Sequence, residues 1–244
     1  LPSLADGKLV PCFGLTGPNN GSDALGEIDT GMIFKDQDGK LKIQVEINKR
    51  YITLAPVANL IGLAINVTDP DKLLPSNVSP GVTVALLEKG HPGLLQETYH
   101  NPLNVGFPNG TLKGHFSLSA DQVIGGADNI GNGWQMLMEC LAAGRGVSLP
   151  ATANGAAKVS TVASLLYAKH RRQFRIPLYK MQGVNTKLLD NVYHTNLIAS
   201  SINFTNAILD SGSTPSVISA IMKQRTTELG RKVINDSMDI MAGS

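Results

Sequence analysis

Cysteine, aromatic residues and excess charge of either sign are all scarce in this chain of 244 residues. Its two cysteines, Cys12 and Cys140, have no metal-ligand spacing around them, which excludes a disulfide framework and a cysteine zinc site. Both stand in apolar stretches, so the expectation is two buried free thiols in a reducing compartment. Aromatics make up 5%, too few for a base-stacking platform, and the net charge is +2. The densest basic stretch, five Lys and Arg within residues 169–180, is too sparse for a nucleic-acid surface or a polybasic membrane anchor. No apolar run reaches membrane-spanning length, and the first residues carry no secretory signal pattern. The five histidines are scattered, and no HExxH, GxSxG, P-loop or strand-to-helix GxGxxG pattern occurs. Metal, serine-nucleophile and nucleotide-loop chemistry therefore have no carrier here.

What is present divides by period. To about residue 123 the apolar residues alternate. In "KLKIQVEI", Leu41, Ile43, Val45 and Ile47 oppose Lys42, Gln44 and Glu46, which predicts a half-buried strand. "DQDG" (36–39) before it is a hairpin turn, since the later ligands of a calcium loop are missing. "VTVALL" (82–87) is a second strand, and 51–67 supplies one or two more. After about residue 129 the period becomes helical. Residues 131–174 read as a long helical stretch interrupted near Gly144 and Pro150, and 181–212 as a helix ended by Gly212. Residues 213–241 open with a hydroxyl cap and Pro215 in the first turn. Val217, Ile218, Ile221, Met222, Leu229 and Val233 then mark one apolar face. "GGADNIGNGW" (125–134) reads as a plain linker with a helix start. The expected fold is α+β: a middle β domain (1–126), barrel or sandwich, followed by an antiparallel helical bundle (127–244). Both ends break off abruptly, so the chain is expected to be a piece of a longer protein.

"LTGPNNGSDA" (15–24) packs small hydrogen-bonding residues around one proline. Turn chemistry alone accounts for such a stretch, and so does a loop whose backbone approaches a ligand. Three other segments narrow the choice. "CFGLTGPNNGSDA" resembles the T-x-P-x-x-G-S-D signature of the acyl-CoA dehydrogenases, and "NKRYITLAP" resembles their K-x-W-I-T-N-A strand. "RRQFRIPLYKMQGV" is similar to their R-x-x-F motif with its following Gln, and "MDIMAG" stands where they carry Q-x-x-G-G. Order and gaps agree over nearly the whole chain. "HNPLNV" and "LAAGRGVSLPA" look closest to the bacterial long-chain branch, whose N-terminal helical domain would be absent from this piece.

The resemblance implies FAD and an acyl-CoA substrate. Thr16 would meet the polar edge of the flavin, Gly21 would let the backbone come close, and Phe13 would pack on the ring system. Ser22 would lie near the pyrophosphate and the acyl-CoA, and Arg145 on the substrate side. Tyr51 would cover one side of the flavin, with the Thr53 hydroxyl near N5. Arg171, Phe174 and Gln182 would reach the FAD of a neighbouring subunit, so a homodimer or higher homo-oligomer is expected. The departures are Gly17 for an acidic residue, Tyr51 for Trp, Arg175 for Gly, and Asp239 with Ala242 in the last motif. The implied activity is α,β-dehydrogenation of a long-chain fatty acyl-CoA to the trans-2-enoyl-CoA in β-oxidation. Electrons would pass to an electron-transfer flavoprotein, in the cytoplasm, with any peripheral membrane association made by other parts of the protein. The alternatives are an acyl-CoA oxidase, a flavin monooxygenase component, or a non-catalytic scaffold. No catalytic residue is assigned. Gly144 stands at one family position of the base, Glu139 points to another helix face, and the base is expected C-terminal to Ser244, leaving this piece inactive alone.

Overall fold

A computed structural model describes residues 2–213 and 215–244 and divides the chain into two compact units, Leu1–Leu137 and Met138–Ser244. After one helical turn, α1 (Pro2–Ala5), the first unit is a seven-stranded sheet. Its strands are β1 (Pro11–Gly14), β2 (Thr30–Lys35), β3 (Leu41–Thr53), β4 (Leu60–Thr68), β5 (Val82–Glu88), β6 (Leu94–Tyr99) and β7 (Asn109–Ser119). The period-two stretches expected as strands are β3 and β5. The 36–39 turn closes the β2–β3 hairpin: the Asp36 carboxylate accepts the backbone N–H of Asp38 and Lys40, and Gly39 takes the left-handed φ of 76°.

The sheet is an open, curled half-barrel, and its topology sets up the loop of interest. β5 lies antiparallel along one edge of β4. The other edge is shared by two parallel strands in succession: β1 beside residues 60–63 and β2 beside residues 66–68. Residues 15–29 therefore leave the sheet between two strands that continue one another. The core beneath is apolar, built on Ile33, Ile43, Val45, Ile61, Leu63 and Leu112. The 125–134 segment is more than a linker. Ile130 belongs to that core, and Gly131 and Gly133 lie so close to the Ser79 and Val82 carbonyls that a Cβ at either would collide.

Helix α2 (Gly133–Ala143) runs through a π-helical turn (Gly144–Ser148) into α3 (Leu149–His170), placing the expected interruption at Gly144. A small hairpin of β8 (Arg172–Gln173) and β9 (Ile176–Pro177) leads to α4 (Gln182–Asp210), and Gly212 with φ +83° ends it before α5 (Ser216–Met241). Thr161 pairs with Thr195 while Ala168 clusters with Leu188, so α3 and α4 run antiparallel. Asn191 pairs with Ser237 while Ile202 clusters with Met222, so α4 and α5 do too. The expected bundle is present, with three corrections. The N-cap of α5 is Pro215, with no side-chain cap bond, because the helix begins one residue later than its proline suggested; Thr214 lies outside the described residues. Val217 and Ile221 are exposed, since the three helices bury only the Met222 and Val233 side of that face. Cys140 is exposed on α2, whereas Cys12 is buried and its thiol is pushed up to about 11 by that burial.

Candidate functional site

The 15–24 loop is organised from within by Asn20, which is buried. Its side-chain amide donates to the Leu15 carbonyl at 3.1 Å and to the Ala24 carbonyl at 3.2 Å. The Thr16 carbonyl accepts the Arg50 backbone N–H at 3.0 Å, which ties the loop to β3. Gly17 has a reason of its own: a Cβ there would stand 2.8 Å from the Asn20 Oδ1 and 3.1 Å from the Asn48 carbonyl. That crowding explains why no acidic side chain occupies this position. Gly21 has none. A Cβ on it would meet nothing within 4 Å, and its φ is not left-handed. Neither packing nor backbone geometry asks for glycine at 21, so the need for close approach arises only if something outside the chain sits there.

β3 supplies the facing groups through a bulge. Its burial alternates through Ile47 and Lys49, then the register against β7 shifts between Lys49 and Ile52. The shift turns Tyr51 outward beside Arg50, returns Ile52 to the core and leaves Thr53 outward. Tyr51 adopts φ 62°, a conformation that an aromatic L-residue takes only at a cost. The Arg50 guanidinium lies 4.9 Å from its ring centroid and the His100 imidazole 5.0 Å away, yet the residue stays 49% exposed. Phe13, 38% exposed on β1, and Thr53 line one cavity of about 350 Å³ with Pro11, Leu60, Val84 and Ile124. Among the described residues, no group hydrogen-bonds the Thr16, Ser22 or Thr53 hydroxyl. The arrangement is exposed aromatic surface next to uncommitted hydroxyls, chemistry that suits a flat ligand with an apolar body and a polar edge. Asn20, Lys49 and His100, which support this set, were not singled out in the sequence.

The remaining predicted residues lie in the second unit. Arg171 ends α3, its backbone N–H bonded to the Tyr167 carbonyl, and Gln182 begins α4. Between them Phe174 and Arg175, with φ 49° and 68°, form the tip of the β8–β9 hairpin. The Arg172 guanidinium donates to the Arg175 carbonyl at 2.7 Å and so secures a turn that glycine would otherwise favour. Phe174 is 89% exposed at that tip. Arg145 is exposed on the π-helical turn, and Glu139 is exposed on α2. Asp239 is bound within the chain: Lys187 bridges it at 2.6 Å to Asp236 at 3.0 Å, and Lys232 reaches Asp236 at 2.6 Å. Among the described residues no cluster of three His, Cys, Asp or Glu could hold a metal, and no helix is long and apolar enough to cross a membrane.

Residues 131–244 match the family described as Acyl-CoA dehydrogenase, C-terminal domain. The short-chain-specific acyl-CoA dehydrogenase of Megasphaera elsdenii is 26% identical over 246 aligned positions, covering all of this chain and 60% of that protein. Residues 131–244 thus carry an acyl-CoA dehydrogenase C-terminal domain. Protein HemX of Proteus mirabilis is 41% identical over 102 residues, which is 41% of this chain and 60% of that one. Among solved structures, the butyryl-CoA dehydrogenase of M. elsdenii superposes with a TM-score of 0.80 at 25% identity, covering 99% of this chain and 60% of that one. An acyl-CoA dehydrogenase of Geobacillus kaustophilus superposes with a TM-score of 0.83, covering 99% and 61% at 23% identity, a likeness of fold. The chain spans about 60% of the length of the curated relatives it matches.

Proposed function

We propose that this chain is the flavin-binding part of an FAD-dependent dehydrogenase that converts a long-chain fatty acyl-CoA to its trans-2-enoyl-CoA in β-oxidation. The observation that carries this reading is the cavity that exposed Phe13 shares with Thr53, two residues beyond the outward Tyr51 on the strand end to which the Thr16 carbonyl is tied. The matched C-terminal domain and the short-chain relative of M. elsdenii support the reaction class. The long-chain preference rests on the similarity of residues 100–105 and 141–151 to the bacterial long-chain branch.

FAD, when bound, supplies a two-electron acceptor for the hydrogen that leaves the β-carbon. The chain's own residues orient it and keep it dry. Thr16 and Thr53 would offer their hydroxyls to the polar edge of the ring system, and Phe13 and Tyr51 would shield its apolar body from water. Ser22 serves the pyrophosphate, and Arg145 the substrate. The α-proton goes to a carboxylate. Position 144 is glycine, so we place that base C-terminal to Ser244. Arg171, Phe174 and Gln182 serve the flavin of a second copy, for which the exposed hairpin tip is suited. Electrons then pass to an electron-transfer flavoprotein, in the cytoplasm.

Turnover of the full-length protein with butyryl-CoA and palmitoyl-CoA, using an artificial electron acceptor, tests the reading. Faster turnover of palmitoyl-CoA and slow reoxidation of the reduced flavin by oxygen are expected. A preference for butyryl-CoA removes the long-chain assignment, and rapid oxidation by oxygen favours an oxidase. Light scattering checks assembly: a monomer holding a full complement of FAD contradicts the role of Arg171.

A further inference from the structure

We propose that Lys49 is a positioning residue for the flavin-facing loop, its buried ammonium clasping both ends of residues 15–29 so that Thr16 and Gly21 are held in place before a ligand arrives. This rests on the flavin reading above. Lys49 is fully buried, and its stem lies near the core residue Leu112. Its Nζ donates to the Leu15 carbonyl at 3.1 Å and pairs with the Asp29 Oδ2 at 2.9 Å. Leu15 is the first residue after β1, and Asp29 is the last before β2. One ammonium therefore joins the point where the loop leaves the sheet to the point where it returns. Asp29 is fixed in turn, because the same oxygen accepts the Asn48 backbone N–H at 3.2 Å.

The route of the side chain is prepared as well. The lysine stem runs past Gly14, where a Cβ would stand 3.4 Å from the Lys49 Cγ and 3.2 Å from the Leu112 Cδ1. Burial lowers the Lys49 pKa from its usual value, and the Asp29 carboxylate opposes that by favouring the charged form. A buried ion pair is a poor device for stability alone, since apolar residues of similar volume commonly serve as well. It is a good device for geometry, because both hydrogen bonds are directional and charge-assisted. The Leu15 carbonyl also accepts the Asn20 amide, so the residue preceding Thr16 is fixed by two donors from different elements.

The test compares wild-type full-length protein with the charge-free pair Lys49→Met/Asp29→Asn and, separately, with Asn20→Ala. Three quantities are read: the unfolding midpoint, amide hydrogen exchange of residues 15–24 without FAD, and FAD affinity with its visible spectrum. The double variant is expected to keep a midpoint near that of wild type. Its loop exchange should rise about tenfold, and its affinity for FAD should fall about tenfold with altered flavin bands, the scale of a charge-assisted hydrogen bond. Asn20→Ala should move in the same direction by less, and it carries the test if the double variant does not fold. Unchanged exchange, affinity and spectrum in variants of a wild type that binds FAD would overturn the clasp and leave the flavin reading standing. Wild-type protein that takes up no FAD would overturn the flavin reading, and the clasp then stands or falls on the exchange of residues 15–24.

Discussion

The two units bury apolar and polar side chains in different proportions. The sheet unit has the larger apolar core, in which Ile33, Ile43, Ile61, Leu63 and Leu112 take part; among its described residues the buried polar side chains are few (Asn20, Thr83, Asn109 and Thr111), and Lys49 is the buried charge. The helical unit is laced with polar groups. Thr161 bonds Thr195 at 2.8 Å, Asn191 bonds Ser237 at 3.1 Å, and Ser164 and Thr205 are fully buried. Its surface is the more apolar one, with Val159, Phe204 and Val217 each more than 60% exposed. Strand alternation sorts apolar from polar by a rigid period of two, whereas the helices spread apolar residues round their circumference and bury only part of them. The first unit is accordingly held by apolar burial, and the second by a smaller apolar core together with specific hydrogen bonds.

The comparison breaks first where burial differs most. Leu63→Ala should cost about 2–5 kcal/mol in the unfolding free energy, as a cavity in a close-packed sheet core. Phe204→Ala should cost no more than about 0.5 kcal/mol, as an exposed site does. Comparable losses at the two positions, measured by denaturant titration, would erase the distinction. A second comparison concerns polar pairing in the bundle. Thr161→Val alone strands the buried Thr195 hydroxyl and should cost about 1–3 kcal/mol, while Thr161→Val with Thr195→Val should restore most of that loss. A double variant as damaged as the single one would mean that volume, not hydrogen bonding, decides this contact.

The smallest effect is electrostatic. Burial pushes the Asp236 carboxyl up, but the ammonium groups of Lys232 and Lys187 outweigh it and hold the group below its usual 3.8. Its contribution to stability is present above that value and fades as pH falls through the lowered pKa. Lys187 is raised above 10.5, first by Asp239 and then by Asp236, so its contribution is present below 10.5 and fades as pH rises beyond. Asp236→Asn should therefore flatten the acid limb of a stability profile and weaken the alkaline one. A profile identical to wild type between pH 2 and 5, the window spanning the usual Asp value, would contradict the pairing.

Much of the sheet could be read from alternation. The same alternation carried a signal that went unused, because Lys49 continues the buried series Ile43, Val45, Ile47 and so stood on the inner face all along. Tyr51 could not be placed that way. The bulge that turns it outward is a backbone event between Lys49 and Ile52, with no glycine to announce it. In the bundle, the period marked Val217 and Ile221 as apolar, but which part of a wide apolar face is covered depends on the crossing helices rather than on the residues. Cys140 misleads for the same reason: apolar neighbours in sequence lie around a helix, not along one side of it. Family motifs located the loop, the strand and the hairpin. The reasons those residues hold their positions, Asn20 under the loop and Arg172 within the turn, appear only when carbonyls and donors have coordinates.

The account stands on the claim that the 15–24 loop and the bulged end of β3 face a flavin. The direct measurement is the visible spectrum and FAD content of purified full-length protein, wild type beside Gly21→Val. The prediction is a yellow wild type with about one FAD per chain, and a Gly21→Val protein that folds with an unchanged melting curve, since its new side chain meets no protein atom, but loses the colour because that side chain takes the space proposed for the flavin. A colourless wild type that takes up no added FAD, or a Gly21→Val protein as yellow as its parent, would contradict it.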